Sequence, residues 1–135
     1  MTYGNYVYYP NGQKGVEPSS YPIDIIESNS FREDKWRASH LRTFKTKLWK
    51  GIDLQDLIDD DGDYYKTAYD QALMLPLLEM SGHKSRFINK IMHVYNRSNP
   101  LNVDKVKRRL QYQTAQKIRR KKKYVRKFWI YFLIT

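Results

Sequence analysis

The sequence predicts an α+β fold with about three main helices and short antiparallel strands, and three observations carry that expectation. Tyrosine and valine crowd into Tyr3, Tyr6, Val7, Tyr8 and Tyr9 directly before Pro10-Asn11-Gly12, a β-prone run entering a turn. Apolar residues recur at spacings of three and four within 36–52, 65–80 and 103–118, the period of a helix that buries one face. Of the 135 residues, 41% are hydrophobic and 15% aromatic, enough for one domain with a core and too many for a disordered chain.

In the first run Tyr6 and Tyr8 share one parity, while Tyr3, Asn5, Val7 and Tyr9 share the other, so a strand here presents two tyrosines on one face. Residues 13–22, with Gly15, Pro18 and Pro22, read as an irregular loop before a short apolar element at 23–26. Trp36, Leu41, Phe44, Leu48 and Ile52 then predict an amphipathic helix capped by Ser39 and ended by Gly51. Asp53 opens a short second turn bearing Leu54, Leu57 and Ile58. After the acidic stretch 59–63, Tyr65, Ala68, Tyr69, Ala72 and Leu73 start another helix, interrupted by Pro76 and closed by Gly82. The apolar residues of 87–95 suit a helix or a strand, and their β-branched and aromatic content favours a strand near 91–95. Asn102 caps a last, basic helix whose apolar side carries Val103, Val106, Leu110 and Ile118.

Charge divides the chain. Residues 1–81 hold 9 Lys and Arg against 13 Asp and Glu, whereas residues 82–135 hold 16 cations and one acid, Asp104. Arg119-Arg120-Lys121-Lys122-Lys123 is an unbroken cationic run, the kind that stays solvated or meets phosphate on nucleic acid, nucleotides or lipid headgroups. The resulting division is 1–104, a basic helix at 105–127 and a short apolar tail at 128–135. That tail is far shorter than the ~20 apolar residues needed to cross a bilayer. The absence of cysteine removes disulfides, thiolate metal sites and thiol nucleophiles, and fits a reducing compartment.

Known chemistries leave few marks. The acidic turn fails as an EF-hand, because with Gly62 at the sixth loop position the terminal ligand positions fall on Leu57 and Ala68. Asp59/Asp61 and Asp61/Asp63 each spell Asp-x-Asp, which holds a divalent ion when it sits at a strand end. The helical spacing before it instead predicts a solvated loop that caps the next helix, with no metal on this chain. His40, His83 and His93 lack zinc spacing, and no phosphate loop or nucleophile elbow occurs. Asp70 stands out as a carboxylate among Ala68, Tyr69, Ala72 and Leu73, and reads from pattern alone as exposed or hydrogen-bonded.

The strings Trp36-Arg37-Ala38-Ser39-His40-Leu41-Arg42-Thr43-Phe44, Leu48-Trp49-Lys50 and Asp61-Gly62 are followed by Ala68-Tyr69-Asp70-Gln71-Ala72-Leu73-Met74-Leu75-Pro76-Leu77-Leu78-Glu79-Met80-Ser81-Gly82. With Tyr95-Asn96-Arg97-Ser98-Asn99-Pro100-Leu101-Asn102, this order resembles the C-terminal, acceptor-binding half of family 2 glycosyltransferases of GT-A fold. The resemblance covers most of residues 3–124. It implies part of an inverting enzyme that moves a sugar from a nucleotide-sugar donor to an acceptor hydroxyl. Asp70 falls where the family carries its general base, and Tyr69 stands where a Glu is usual. Trp36, His40 and Arg42 would line or support the acceptor cleft, although Arg42 also suits pairing with a core carboxylate and Trp36 suits filling the core.

The same resemblance implies that the donor-binding half, with its Asp-x-Asp motif and a Mn or Mg ion, lies in a missing segment or a separate chain. On that reading this fragment alone is inactive. Its partners would be the sugar acceptor, a donor-binding half or chain, and an anionic membrane surface touched peripherally, placing it in the cytoplasm or at the inner membrane face. The rival from another class is a small basic module that binds nucleic acid, non-specifically, or a membrane surface, resting on the cationic end and its aromatics Tyr112, Tyr124, Phe128 and Trp129.

Overall fold

Three strands and five α-helices account for the regular structure of residues 1–127, the part described by a computed structural model. The expected apolar tail, 128–135, lies outside the described residues. The order is β1 (Thr2–Tyr9), α1 (Ile23–Glu27), β2 (Ser39–Thr43), α2 (Thr46–Trp49), α3 (Tyr69–Ser81), β3 (Arg86–Asn96), α4 (Val103–Val106) and α5 (Arg108–Arg120), with 3-10 turns at Leu54–Leu57 and Gly82–Lys84. The fold is α+β, as expected. The sheet, however, is mixed: β1 lies between β2, antiparallel to it, and β3, parallel to it. A parallel neighbour needs a long crossover, and here the chain from 10 to 85, including α3, supplies it.

The strand and turn at the N-terminus form as read. Beyond the Tyr9–Pro10 peptide the chain folds back so that Tyr8 N donates to Gln13 O at 2.8 Å and Gly15 N to Tyr6 O at 2.9 Å. The return arm makes a single bridge, Val7 to Lys14. The ambiguous segment after Gly82 is a strand, longer than expected at 11 residues.

The helix expected over 36–52 is not present. In its place stand β2, which pairs with β1, and the one-turn α2. Leu41 and Phe44, two of the residues that set its apparent period, are exposed, whereas Ala38, Leu48 and Ile52 are buried. Hydrogen bonding along the edge of β1 outweighs a helical pattern that begins only at Leu41. The acidic turn likewise does not cap a helix. Tyr64 bridges back to Ile58 and Tyr65 N donates to Leu57 O, so Tyr65, Thr67 and Ala68 pack inward and α3 begins only at Tyr69.

α3 is the axis of the core. Leu75, Leu77, Leu78 and Met80 are fully enclosed, and the helix divides the interior, with Leu75 and Leu78 on one side and Met74, Leu77 and Met80 on the other. A helix with apolar residues all round must be covered all round. The first side meets Tyr3, Tyr21 and Phe31 together with Ala115 and Ile118 of α5; the second meets Leu48 and Ile52. Pro76 occupies a turn whose loss of one backbone bond this burial offsets.

Glu79, also on α3 and 0% exposed, is the one acid in this apolar stretch. Arg32 meets it with two bonds, Nε to Oε1 at 2.6 Å and Nη2 to Oε2 at 3.0 Å, and donates a third from Nη1 to Ile118 O at the end of α5. Tyr124 N adds a fourth bond to Glu79 Oε2 at 2.9 Å. The basic helix expected over 105–127 therefore ends at Arg120, and residues 121–127 run extended across α3. Continuing the helix would set Arg119 beside Lys122 and Lys123, and Arg120 beside Lys123, at spacings of three and four where like charges repel. Leaving it lets Tyr124 reach Glu79, Asn29 donate to Tyr124 O, and Lys127 N donate to Met80 O.

Glu79→Ala should destabilise the chain by about 3–5 kcal/mol in urea unfolding, because it leaves a guanidinium buried without its partner. Lys117→Ala, which breaks exposed pairs with Asp59 and Asp60, should leave the urea midpoint nearly unchanged. Equal effects of the two substitutions would show that the buried pair does not clamp the fold.

Candidate functional site

Where α3 starts beside β1 and β2, the surface opens into a cleft of about 690 Å³. Asp70 lies in the first turn of α3, an end of the helix dipole that favours a carboxylate, and its Oδ1 accepts from Gln71 N at 3.0 Å. Ala68, immediately before the helix, takes φ of 51°, a left-handed conformation that costs an alanine about 1 kcal/mol or more and turns the chain into α3. Asp70 is thus set by backbone geometry. Its side chain is 31% exposed and faces the cleft.

β2 supplies the opposing wall. Arg42 Nη2 donates to Asp70 Oδ2 at 2.9 Å, while Arg42 Nε is held by Ala38 O at 2.7 Å and its guanidinium lies 5.6 Å from the Trp36 ring centroid. His40, two residues earlier on the strand, stacks on His93 of β3 with ring centroids 4.6 Å apart. Its Nδ1 is buried without a protein partner, and burial, then the charges of Arg42 and His93, depress its pKa to about 4 despite the opposing pull of Asp70. His40 is therefore a neutral imidazole near neutrality. All four residues singled out from sequence, Trp36, His40, Arg42 and Asp70, line this one cleft. Arg42 pairs with a carboxylate, but with the partly exposed Asp70 of the cleft and not with one in the core, and Trp36 also packs against the core.

Several cleft residues escaped the sequence reading. Tyr6 and Tyr8 of β1 and Tyr95 of β3 form an aromatic floor, with centroids 5.1–5.9 Å apart and a 3.0 Å hydroxyl contact between Tyr6 and Tyr8. Their shared parity on β1 was the available signal. Gly15 fits against the Tyr6 ring, where any side chain would collide with it. Glu17 brings a second carboxyl; much of the residue faces solvent, yet partial burial first, then the charge of Asp70, raise its pKa. Arg108 closes the far side from the start of α5. Nothing in the local sequence around Glu17 or Arg108 points to a shared site.

The acids of 59–63 lie elsewhere. Asp59 and Asp60 bind Lys117 at 2.9 and 2.7 Å, and Asp61 and Asp63 pair with Lys66. Among the described residues no group of three or more His, Asp or Glu is arranged to hold a metal ion. No helix there is long and apolar enough to cross a membrane. No family model matches the chain, and comparison with curated proteins and with solved structures yields no match.

The His40 environment sets a pH dependence. Its unfolded-state pKa lies near 6.5 and its folded value near 4, so the unfolded chain takes up the proton first as pH falls. Stability from this group is complete above pH 6.5 and is lost progressively between 6.5 and 4. NMR titration of the three histidines should show one imidazole with a midpoint near 4, and His40→Gln should remove that resonance and flatten the stability profile across the same window.

Proposed function

We propose that this chain is the acceptor-binding part of an inverting glycosyltransferase, with Asp70 as general base. The observation that carries the reading is the convergence of Asp70, Arg42, His40 and Trp36 on one cleft floored by tyrosines. Aromatic faces beside hydrogen-bonding groups suit a sugar, whose C–H faces stack while its hydroxyls bond.

The carboxylate has the valence for the work. Each Asp70 oxygen accepts one bond from the protein and retains a lone pair, so Arg42 and Gln71 N fix the group without saturating it. An acceptor hydroxyl within about 3 Å of it loses its proton to Asp70 as the oxygen bonds to the anomeric carbon and the donor's nucleoside diphosphate departs with the bonding pair. Neutral His40 accepts or donates a hydrogen bond to the acceptor without adding charge. A Mn or Mg ion and the nucleotide contacts would be supplied by a donor-binding half, since the acids of 59–63 pair with lysines and do not line the cleft.

Saturation-transfer NMR of this chain with a panel of glycosides should show contact to sugar protons, with Asp70→Asn changing affinity only a few-fold. In an enzyme completed with its donor half, the same substitution should lower turnover by about 10²- to 10⁴-fold. Calorimetry with manganese and nucleotide sugars should give no micromolar affinity for this chain by itself. Tight, metal-dependent donor binding, or full turnover of Asp70→Asn, would sink the assignment.

A further inference from the structure

Most cations of the basic half have internal partners. Lys117 binds Asp59 and Asp60, Lys121 pairs with Asp56, Lys123 pairs with Glu33, and Arg119 holds the carbonyls of Arg32 and Asp34. Among the described residues Lys84, Lys90, Arg120 and Lys122 lack such a partner but are dispersed, whereas the other three exceptions are consecutive. The side chains of Lys107, Arg108 and Arg109 form no hydrogen bond or ion pair among the described residues, and they open α5 at the positive end of its dipole with no acid in the first turn. Three adjacent cations there repel one another and the helix, a tension that an external anionic surface relieves.

Aliphatic side chains stand beside them. Leu101, Val106 and Leu110 are 75%, 57% and 47% exposed, spaced along the turn before α4, α4 itself and the first turn of α5. A phosphate backbone gains little from such residues. A lipid headgroup region gains from both, since aliphatic groups sink toward the acyl boundary while cations meet the phosphates.

We propose that the α4–α5 junction docks on the surface of an anionic phospholipid membrane, through Lys107, Arg108 and Arg109 together with Leu101, Val106 and Leu110. The interaction does not depend on the transferase reading. Its geometric consequence does bear on the cleft: Leu101 and Arg108 also line it, so docking sets the cleft's mouth against the lipid surface.

The test is co-sedimentation of the full chain with phosphatidylcholine vesicles, with and without phosphatidylglycerol. Binding is expected only with the anionic lipid. Lys107→Gln/Arg108→Gln/Arg109→Gln should weaken it about a hundredfold at low salt, from roughly a factor of five per cation. Leu101→Ser/Val106→Ser/Leu110→Ser should weaken it roughly tenfold. All six positions are exposed, and circular dichroism with thermal melting checks that both variants stay folded. Absence of binding to anionic vesicles overturns the proposal, as does undiminished binding by either variant. Loss of binding on deleting 128–135 while both variants bind normally would move the contact to that segment. Tighter binding to RNA than to vesicles, indifferent to the serine substitutions, would assign the cations to nucleic acid instead.

Discussion

The buried bidentate contact between Arg32 and Glu79 is the constraint around which the other elements are arranged. A carboxylate at 0% exposure on the central helix is tolerable only with its charge matched and its lone pairs occupied, and three separate segments converge to do so. The loop after α1 brings Arg32, the end of α5 offers Ile118 O to the same guanidinium, and the extended segment after Arg120 brings Tyr124 N. The extended segment is also anchored nearby: Tyr124 OH donates to Asp56 and accepts from Asp53 N, and Arg126 reaches Ile26 O. Burial and the Asp56 contact push the Tyr124 phenol up to about 12, so this anchor stays protonated across the physiological range.

The same convergence explains the uneven charge of the chain. Acids of 33–60 and cations of 117–123 are far apart in sequence but face each other once α5 lies along α3. Much of the basicity of the C-terminal end is thus complementary to the acidity of the N-terminal half rather than free for partners. At the start of α5, by contrast, three consecutive cations, Lys107, Arg108 and Arg109, remain unmatched among the described residues.

The cleft follows from the position of α3. Burying that helix on both sides fixes its axis, and the left-handed turn at Ala68 points its first residues toward β2, so Asp70 and Arg42 meet without either being deeply enclosed. A carboxylate in this setting is oriented yet still reachable. Tyr6, Tyr8 and Tyr95 arrive from two neighbouring strands of one sheet, which is why an aromatic floor lies beneath a charged rim.

Local chemistry alone determined a good part of this protein: the β1 run and its turn, the 3-10 turn capped by Asp53, the helix through Pro76 ending at Gly82, and the strand near 91–95. These are legible because each depends on its own period, cap or turn residue. What the tertiary structure decided is whatever depends on a distant partner. Residues 39–43 became a strand because β1 offered an edge, β3 aligned parallel because the crossover through α3 returned it that way, and α5 stopped at Arg120 because Glu79 needed Tyr124. Hydrogen-bond satisfaction and charge neutralisation in a buried interior act between residues brought together only by folding, so no window of sequence around Ser39 or Lys121 contains the groups that decide its conformation.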